Sequence, residues 1–123
     1  MTIKQKIDNK EARIFGLVGQ MGAGKTFLVQ KIAKELGCKE IVSSPTYNLL
    51  QIYALNYLNF DKILHFDLHR LETLSDHDKA WFLEEISDPT ALVFVEWPEL
   101  ILSLDLKIEI VKIKNTLDKK PKL

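Results

Sequence analysis

Apolar residues come in short blocks, and the spacing within each block changes along the chain. Ile14-Phe15-Gly16-Leu17-Val18 is a brief, mostly apolar run and predicts a strand. Phe27, Leu28, Ile32, Ala33 and Leu36 recur at helical spacing before a helix-stopping Gly37, which predicts a helix to about Leu36. Tyr47–Tyr53 reads as a strand, Asn56–Asp61 as the bend of a hairpin, and Ile63–Asp67 as the returning strand. Asp78–Ile86 reads as a helix. Ala91–Val95 is the clearest buried strand and runs into Glu96-Trp97. Pro98 can open a short helix to about Leu102. Lys107–Ile110 alternates like a strand with one wet face, and Ser43-Ser44-Pro45-Thr46 is a turn or loop. Residues 1–13 form a polar segment with weak alternation at Ile3 and Ile7, and residues 115–123 form a basic tail.

One segment between these elements carries chemistry. Gly19-Gln20-Met21-Gly22-Ala23-Gly24-Lys25-Thr26 is a complete G-x-x-x-x-G-K-[ST] loop between the first strand and the first long helix. Gly19, Gly22 and Gly24, with Ala23, let successive N–H groups curl around phosphate oxygens. Lys25 can reach the β- and γ-phosphates, and the Thr26 hydroxyl can ligate Mg²⁺. The helix N-terminus behind them adds a favourable dipole.

Strands that alternate with helices around such a loop predict an α/β protein. The expected architecture is a three-layer P-loop NTPase with a largely parallel sheet and an inserted hairpin, forming a single domain over residues 1–123. Ligands in such sheets lie at the carboxyl ends of the strands. That rule selects three places: Gly19–Thr26, Asp67 and Glu96.

Glu96 there can hold Mg²⁺ directly, hold it through water, or orient the attacking water. Asp67 suits a magnesium contact made through water, or positioning of that water. His65, Asp67 and His69 would face one way in a continuous strand, which also allows a transition-metal reading. Trp97 is either a stacking platform or a packed rim residue. Arg70 is one of only two arginines and can sense the γ-phosphate or lock a loop to a carboxylate. Ser44-Pro45-Thr46 stands where P-loop proteins place a mobile switch, with the Thr46 hydroxyl available to Mg²⁺ or the γ-phosphate. GTP is disfavoured, because Asn115-Thr116-Leu117-Asp118 lacks the lysine of N-K-x-D. ATP is the default.

Composition narrows the rest. Seventeen basic residues balance seventeen acidic ones, so the chain is poorly equipped to hold nucleic acid by itself. No apolar run approaches the ~20 residues that span a bilayer. The single cysteine, Cys38, excludes an internal disulfide and fits a reduced, cytoplasmic protein.

Four blocks together resemble one family. Gly22-Ala23-Gly24-Lys25-Thr26, Ser44-Pro45-Thr46-Tyr47, His65-Phe66-Asp67-Leu68-His69-Arg70-Leu71 and Val95-Glu96-Trp97-Pro98-Glu99 occur in the order and at the spacing of the bacterial TsaE (YjeE) family. The resemblance spans roughly residues 14–100. It implies a Mg²⁺-ATPase of tRNA threonylcarbamoyladenosine biosynthesis that works with TsaB and TsaD, which modify adenosine 37, and that meets tRNA only through them. It further implies that Thr26 and Glu96 hold magnesium, and that Gly22–Thr26 and Trp97 contact ATP. The chain has His69 where the family usually has Tyr, and no arginine follows Arg70. Residues 1–13 look too short for both the N-terminal helix and the nucleotide contact that the family carries there. A small P-loop kinase is disfavoured by the scarcity of arginine. A non-hydrolysing, ATP-gated adaptor is the other alternative.

Overall fold

The computed structural model describes residues 2–19, 24–38, 41–43, 49–69 and 71–113. Its elements run α1 (Ile3–Asp8), β1 (Ile14–Val18), α2 (Lys25–Glu35), β2 (Ile41–Ser43), β3 (Leu50–Tyr57), β4 (Phe60–Asp67), α3 (Asp76–Ile86), β5 (Ala91–Glu96), a 3₁₀ turn (Pro98–Ile101) and β6 (Glu109–Lys112).

The strands form one six-stranded mixed sheet in the order β2-β3-β4-β5-β1-β6. β4, β5, β1 and β6 run parallel. β3 pairs antiparallel with both β2 and β4, so the expected hairpin is present. Its bend is tighter than Asn56–Asp61. Both strands continue to Tyr57 and Phe60, and the turn closes on Leu58, whose φ of 54° is left-handed. A register shift between Ala54 and Tyr57 absorbs the misfit.

Side-chain alternation sends each strand's apolar residues to two cores. Phe15, Leu17, Tyr53, Ile63, Leu92 and Phe94 meet Ile3 and Ile7 of α1 and Leu28, Val29 and Ile32 of α2 on one face. Ile14, Leu64, Phe66, Val93 and Val95 meet Phe82 and Ile86 of α3 on the other. All six residues of β5 are buried because both faces are covered.

Beyond the hairpin, whose β3 runs Leu50–Tyr57 rather than Tyr47–Tyr53, and α3, which starts at Asp76 rather than Asp78, three elements differ from the sequence expectation. Residues 1–13 hold α1, whose six residues are closed by a capping box: Thr2 accepts from the Gln5 N–H and Gln5 reaches back to Thr2 N. The final strand lies at Glu109–Lys112 rather than Lys107–Ile110, because its register is set by pairing with Phe15–Val18 of β1. β2 was not expected, and it is three residues long. Among the described residues no helix is long and apolar enough to cross a membrane.

Candidate nucleotide site

The parallel order β4-β5-β1 brings three strand ends to one edge. Asp67 pairs in register with Glu96, and Glu96 with Leu17, one residue short of the end of β1. Gly19 then leaves β1, and α2 begins at Lys25. The Gly24 N-cap has φ 93° and ψ 24°, a left-handed backbone that favours glycine.

Glu96 shares the strand face of Phe94 and Leu92, the face covered by α2. Its side chain therefore meets the first turn of that helix. The Thr26 Oγ1 donates to Glu96 Oε2 at 2.7 Å. Glu96 is only 4% exposed, and burying an unpartnered carboxylate would be prohibitive. The second partner is His65 Nε2, 2.6 Å from the same oxygen.

Lys25 is buried, and its Nζ donates to the Gly19 carbonyl at 2.7 Å. The same ammonium sits 3.7 Å from the centroid of the Trp97 ring. Trp97 reaches that position through a left-handed backbone, φ 60° and ψ 62°. Such a conformation is costly for a bulky residue and recurs at functional sites. It turns the chain from β5 into Pro98, whose fixed φ starts the 3₁₀ turn. Trp97 thus contacts Lys25 and also packs partly against the α3-side core.

Asp67 ends β4 at the mouth of the cleft. Its Oδ1 accepts from the His69 N–H at 3.1 Å and lies 2.8 Å from His69 Nδ1. The transition-metal alignment of His65, Asp67 and His69 does not form. β4 stops at Asp67, so His69 lies beyond the strand and folds back on Asp67, while His65 goes to Glu96. Among the described residues no group of three or more His, Cys, Asp or Glu side chains is placed to hold a metal by itself.

Gly24, Lys25, Thr26, Phe27, Asp67, His69, Glu96 and Trp97 line one open cleft of about 320 Å³. Six of the residues expected from sequence, Gly24, Lys25, Thr26, Asp67, Glu96 and Trp97, therefore converge, and Gly19 borders them through Lys25. Gly22, Ala23, Thr46 and Arg70 lie outside the described residues, as do Gln20, Met21, Ser44, Pro45 and Tyr47. Sequence reading named His65 as a possible transition-metal ligand but not as a partner of Glu96, and it missed Tyr53. It also missed Phe27, which follows Thr26 into the cleft wall with 59% of its surface exposed. The available signal for His65 was its place two residues before Asp67, on the same strand face.

The donor set fits magnesium and a polyphosphate. Hydroxyl and carboxylate oxygens are hard ligands that suit Mg²⁺. A hydroxyl that gives its proton to Glu96 keeps its lone pairs for a cation, and Lys25 is a cation at the helix entrance. Here Thr26 and Glu96 would hold the metal, with Asp67 beside them.

Comparison with known proteins places the chain in a family. The family model described as "Threonylcarbamoyl adenosine biosynthesis protein TsaE" matches residues 1–121. The tRNA threonylcarbamoyladenosine biosynthesis protein TsaE of Borreliella burgdorferi is 37% identical over 92 residues, covering 75% of this chain and 64% of that protein. The protein of the same name from Bacillus subtilis is 33% identical over 92 residues, covering 75% of this chain and 54% of its own length. The Treponema pallidum protein is 32% identical over 94 residues, covering 76% and 66%. This chain thus matches between about half and two thirds of each relative's length.

Proposed function

The chain belongs to the TsaE family of tRNA threonylcarbamoyladenosine biosynthesis proteins, and on that premise we propose that it is a Mg²⁺-dependent ATPase. In this reading the fold is a three-layer P-loop NTPase. The chain is cytoplasmic and supports N6-threonylcarbamoyladenosine formation at tRNA position 37 by binding and resetting a TsaB–TsaD complex.

The observation that carries the reading is the bond of 2.7 Å between the Thr26 hydroxyl and the buried Glu96 carboxylate, beside Lys25 at the head of α2. A phosphate loop, a hydroxyl and a strand-end acid are the parts that phosphoryl transfer to water requires. Magnesium, when bound, would offset charge on the β- and γ-phosphates. Lys25 leaves the Gly19 carbonyl to meet phosphate oxygens, a charge-assisted exchange of one oxygen partner for another. Glu96, fixed by Thr26 and His65, presents its charge without having to reorganise. Asp67 stands at the cleft mouth with its carboxylate held by His69, a position suited to orienting a water.

The balanced charge supports an indirect relation to tRNA, since an electrostatic hold on the phosphate backbone would need a basic surplus. The cleft is lined by phosphate- and metal-handling groups, so the energy of cleavage serves conformational change that a partner reads. The test measures ATP turnover with and without purified TsaB and TsaD, then tRNA modification over many cycles with ATP or a non-hydrolysable analogue. We expect partner-stimulated turnover, and roughly one modification per complex with the analogue. Equal multiple turnover with both nucleotides would make the chain a non-hydrolysing adaptor.

A further inference from the structure

Behind Glu96 lies a polar chain, buried at His65 and Tyr53 and ending at the exposed Gln51, that the phosphate-loop pattern does not require. His65 is 4% exposed, and its two ring nitrogens are both engaged: Nε2 with Glu96 Oε2 at 2.6 Å and Nδ1 with the Tyr53 hydroxyl at 3.2 Å. The Tyr53 hydroxyl also lies 3.2 Å from Gln51 Oε1. The Tyr53 and His65 rings stack with centroids 6.0 Å apart and planes 22° apart. These groups sit on the adjacent strands β3 and β4, on the face that α2 covers.

We propose that His65, held by Tyr53, is a positioning residue that fixes the Glu96 carboxylate for the magnesium ion of a bound nucleotide. The inference rests on the ATPase reading above and names a device inside that same site.

Proton bookkeeping supports the direction of the chain. A carboxylate only accepts, so the His65 nitrogen facing Glu96 is the donating one. In the neutral ring the other nitrogen then accepts, and the Tyr53 hydroxyl supplies the proton. Burial, followed by electrostatic interaction with Cys38 and Glu96, pushes the Tyr53 hydroxyl above its ordinary value, so it keeps that proton. The Gln51 amide contacts the same hydroxyl and presents either its oxygen or its nitrogen by a simple turn.

Both bonds to Glu96 use Oε2. One comes from the first turn of α2 and the other from β4. The carboxylate is thereby pinned between two elements, and its orientation is set before any cation arrives. Partners that orient a metal ligand in this way typically contribute 10–100-fold in metal affinity. A purely structural histidine on this face would contribute to folding and leave metal dependence unchanged.

The experiment titrates Mg²⁺ at a fixed, subsaturating concentration of a non-hydrolysable ATP analogue. It reads nucleotide binding by calorimetry, with a parallel series in EDTA. His65→Leu should raise the magnesium midpoint about tenfold or more and leave EDTA binding within about twofold. His65→Gln, which retains an N–H near the Nε2 position, should return the midpoint to within about threefold of wild type. Tyr53→Phe keeps the ring and removes only the hydroxyl, and it should raise the midpoint about threefold. That variant decides the question if His65→Leu does not fold. An unchanged midpoint in His65→Leu, or in Tyr53→Phe where that variant stands in for it, overturns this inference and leaves the ATPase reading intact. Failure of the wild-type protein to bind nucleotide with or without magnesium overturns both.

Discussion

Lys25 and Trp97 form a cation–π pair, with the Lys25 Nζ 3.7 Å from the centroid of the indole ring. The pair joins the first residue of α2 to the residue after β5. The ammonium is held on its other side by the Gly19 carbonyl, so the lysine is stored rather than free. A phosphate that draws Lys25 away changes the charge above the indole. Nucleotide binding should therefore shift Trp97 emission. Trp81, the other tryptophan, packs edge-on against Phe66, does not line the cleft and should be silent. We expect Trp81→Phe to keep the signal and Trp97→Phe to abolish it. Lys25→Ala should remove most triphosphate affinity while the fold persists. Undiminished binding by Lys25→Ala in calorimetry would disprove the phosphate-loop assignment.

Glu96→Gln keeps the size of the side chain and removes the charge that faces Thr26 and His65. Hydrolysis should fall by tenfold or more, about 1.4 kcal/mol in barrier, with a smaller effect on nucleotide affinity. Single-turnover kinetics beside equilibrium binding separate the two. A rate within about twofold of wild type would transfer the acid's role to Asp67.

The parts of the site that were legible in the sequence are those set by local pattern. Ile14–Val18 and the helix that starts at Lys25 follow from adjacent residues. Val93-Phe94-Val95 announces a buried strand because both faces are apolar. What local pattern could not show depends on pairing across the chain. The register of β6 comes from β1. Three-residue β2 exists through its pairing with β3. α1 is too short for periodicity to reveal, and only Thr2 with Gln5 marks its start. The role of His65 depends on Glu96, 31 positions later. Alternation placed His65 and Asp67 on one face, but the end of β4 at Asp67 removed His69 from it.

Away from the cleft, one ion pair makes a pH prediction. Asp88 accepts from the Lys62 Nζ at 2.5 Å, and from the Thr90 side chain and backbone at 2.7 and 2.9 Å. These bonds, Lys62 first, hold the Asp88 carboxyl well below its ordinary value of 3.8. A carboxyl depressed in the folded state stabilises above its unfolded value and loses that contribution as pH falls towards the folded one. The stability should therefore be present at pH 5 and decline on acidification below about 4. Asp88→Asn should be less stable than wild type at pH 7 and should lose less on acidification. Urea unfolding of both proteins from pH 7 to 3 provides the check. Parallel curves would mean that the Lys62 pair contributes nothing measurable, as many exposed pairs do.

Gly16 in β1 connects the sheet to the cleft by contact alone. A Cβ built there would lie 3.0 Å from Pro98 Cβ, from Pro98 Cγ and from Ile110 Cδ1. Ile110 can yield, since Cδ1 is the far end of a flexible chain on the edge strand β6. Pro98 has less freedom, because its ring follows the left-handed Trp97 and opens the 3₁₀ turn. Gly16→Ala should therefore overpack this contact and cost about 1–3 kcal/mol of stability. The displacement has one stiff route, through Pro98 into Trp97, so the Trp97–Lys25 pair should loosen as well. We expect a lower urea midpoint together with altered Trp97 emission in the nucleotide-free protein. Phe94→Leu, a core change on the other face of the sheet, supplies the control: it should lower stability and leave the emission of Trp97 near wild type. Loss of stability in Gly16→Ala with unchanged emission would show that Pro98 absorbs the strain without moving Trp97.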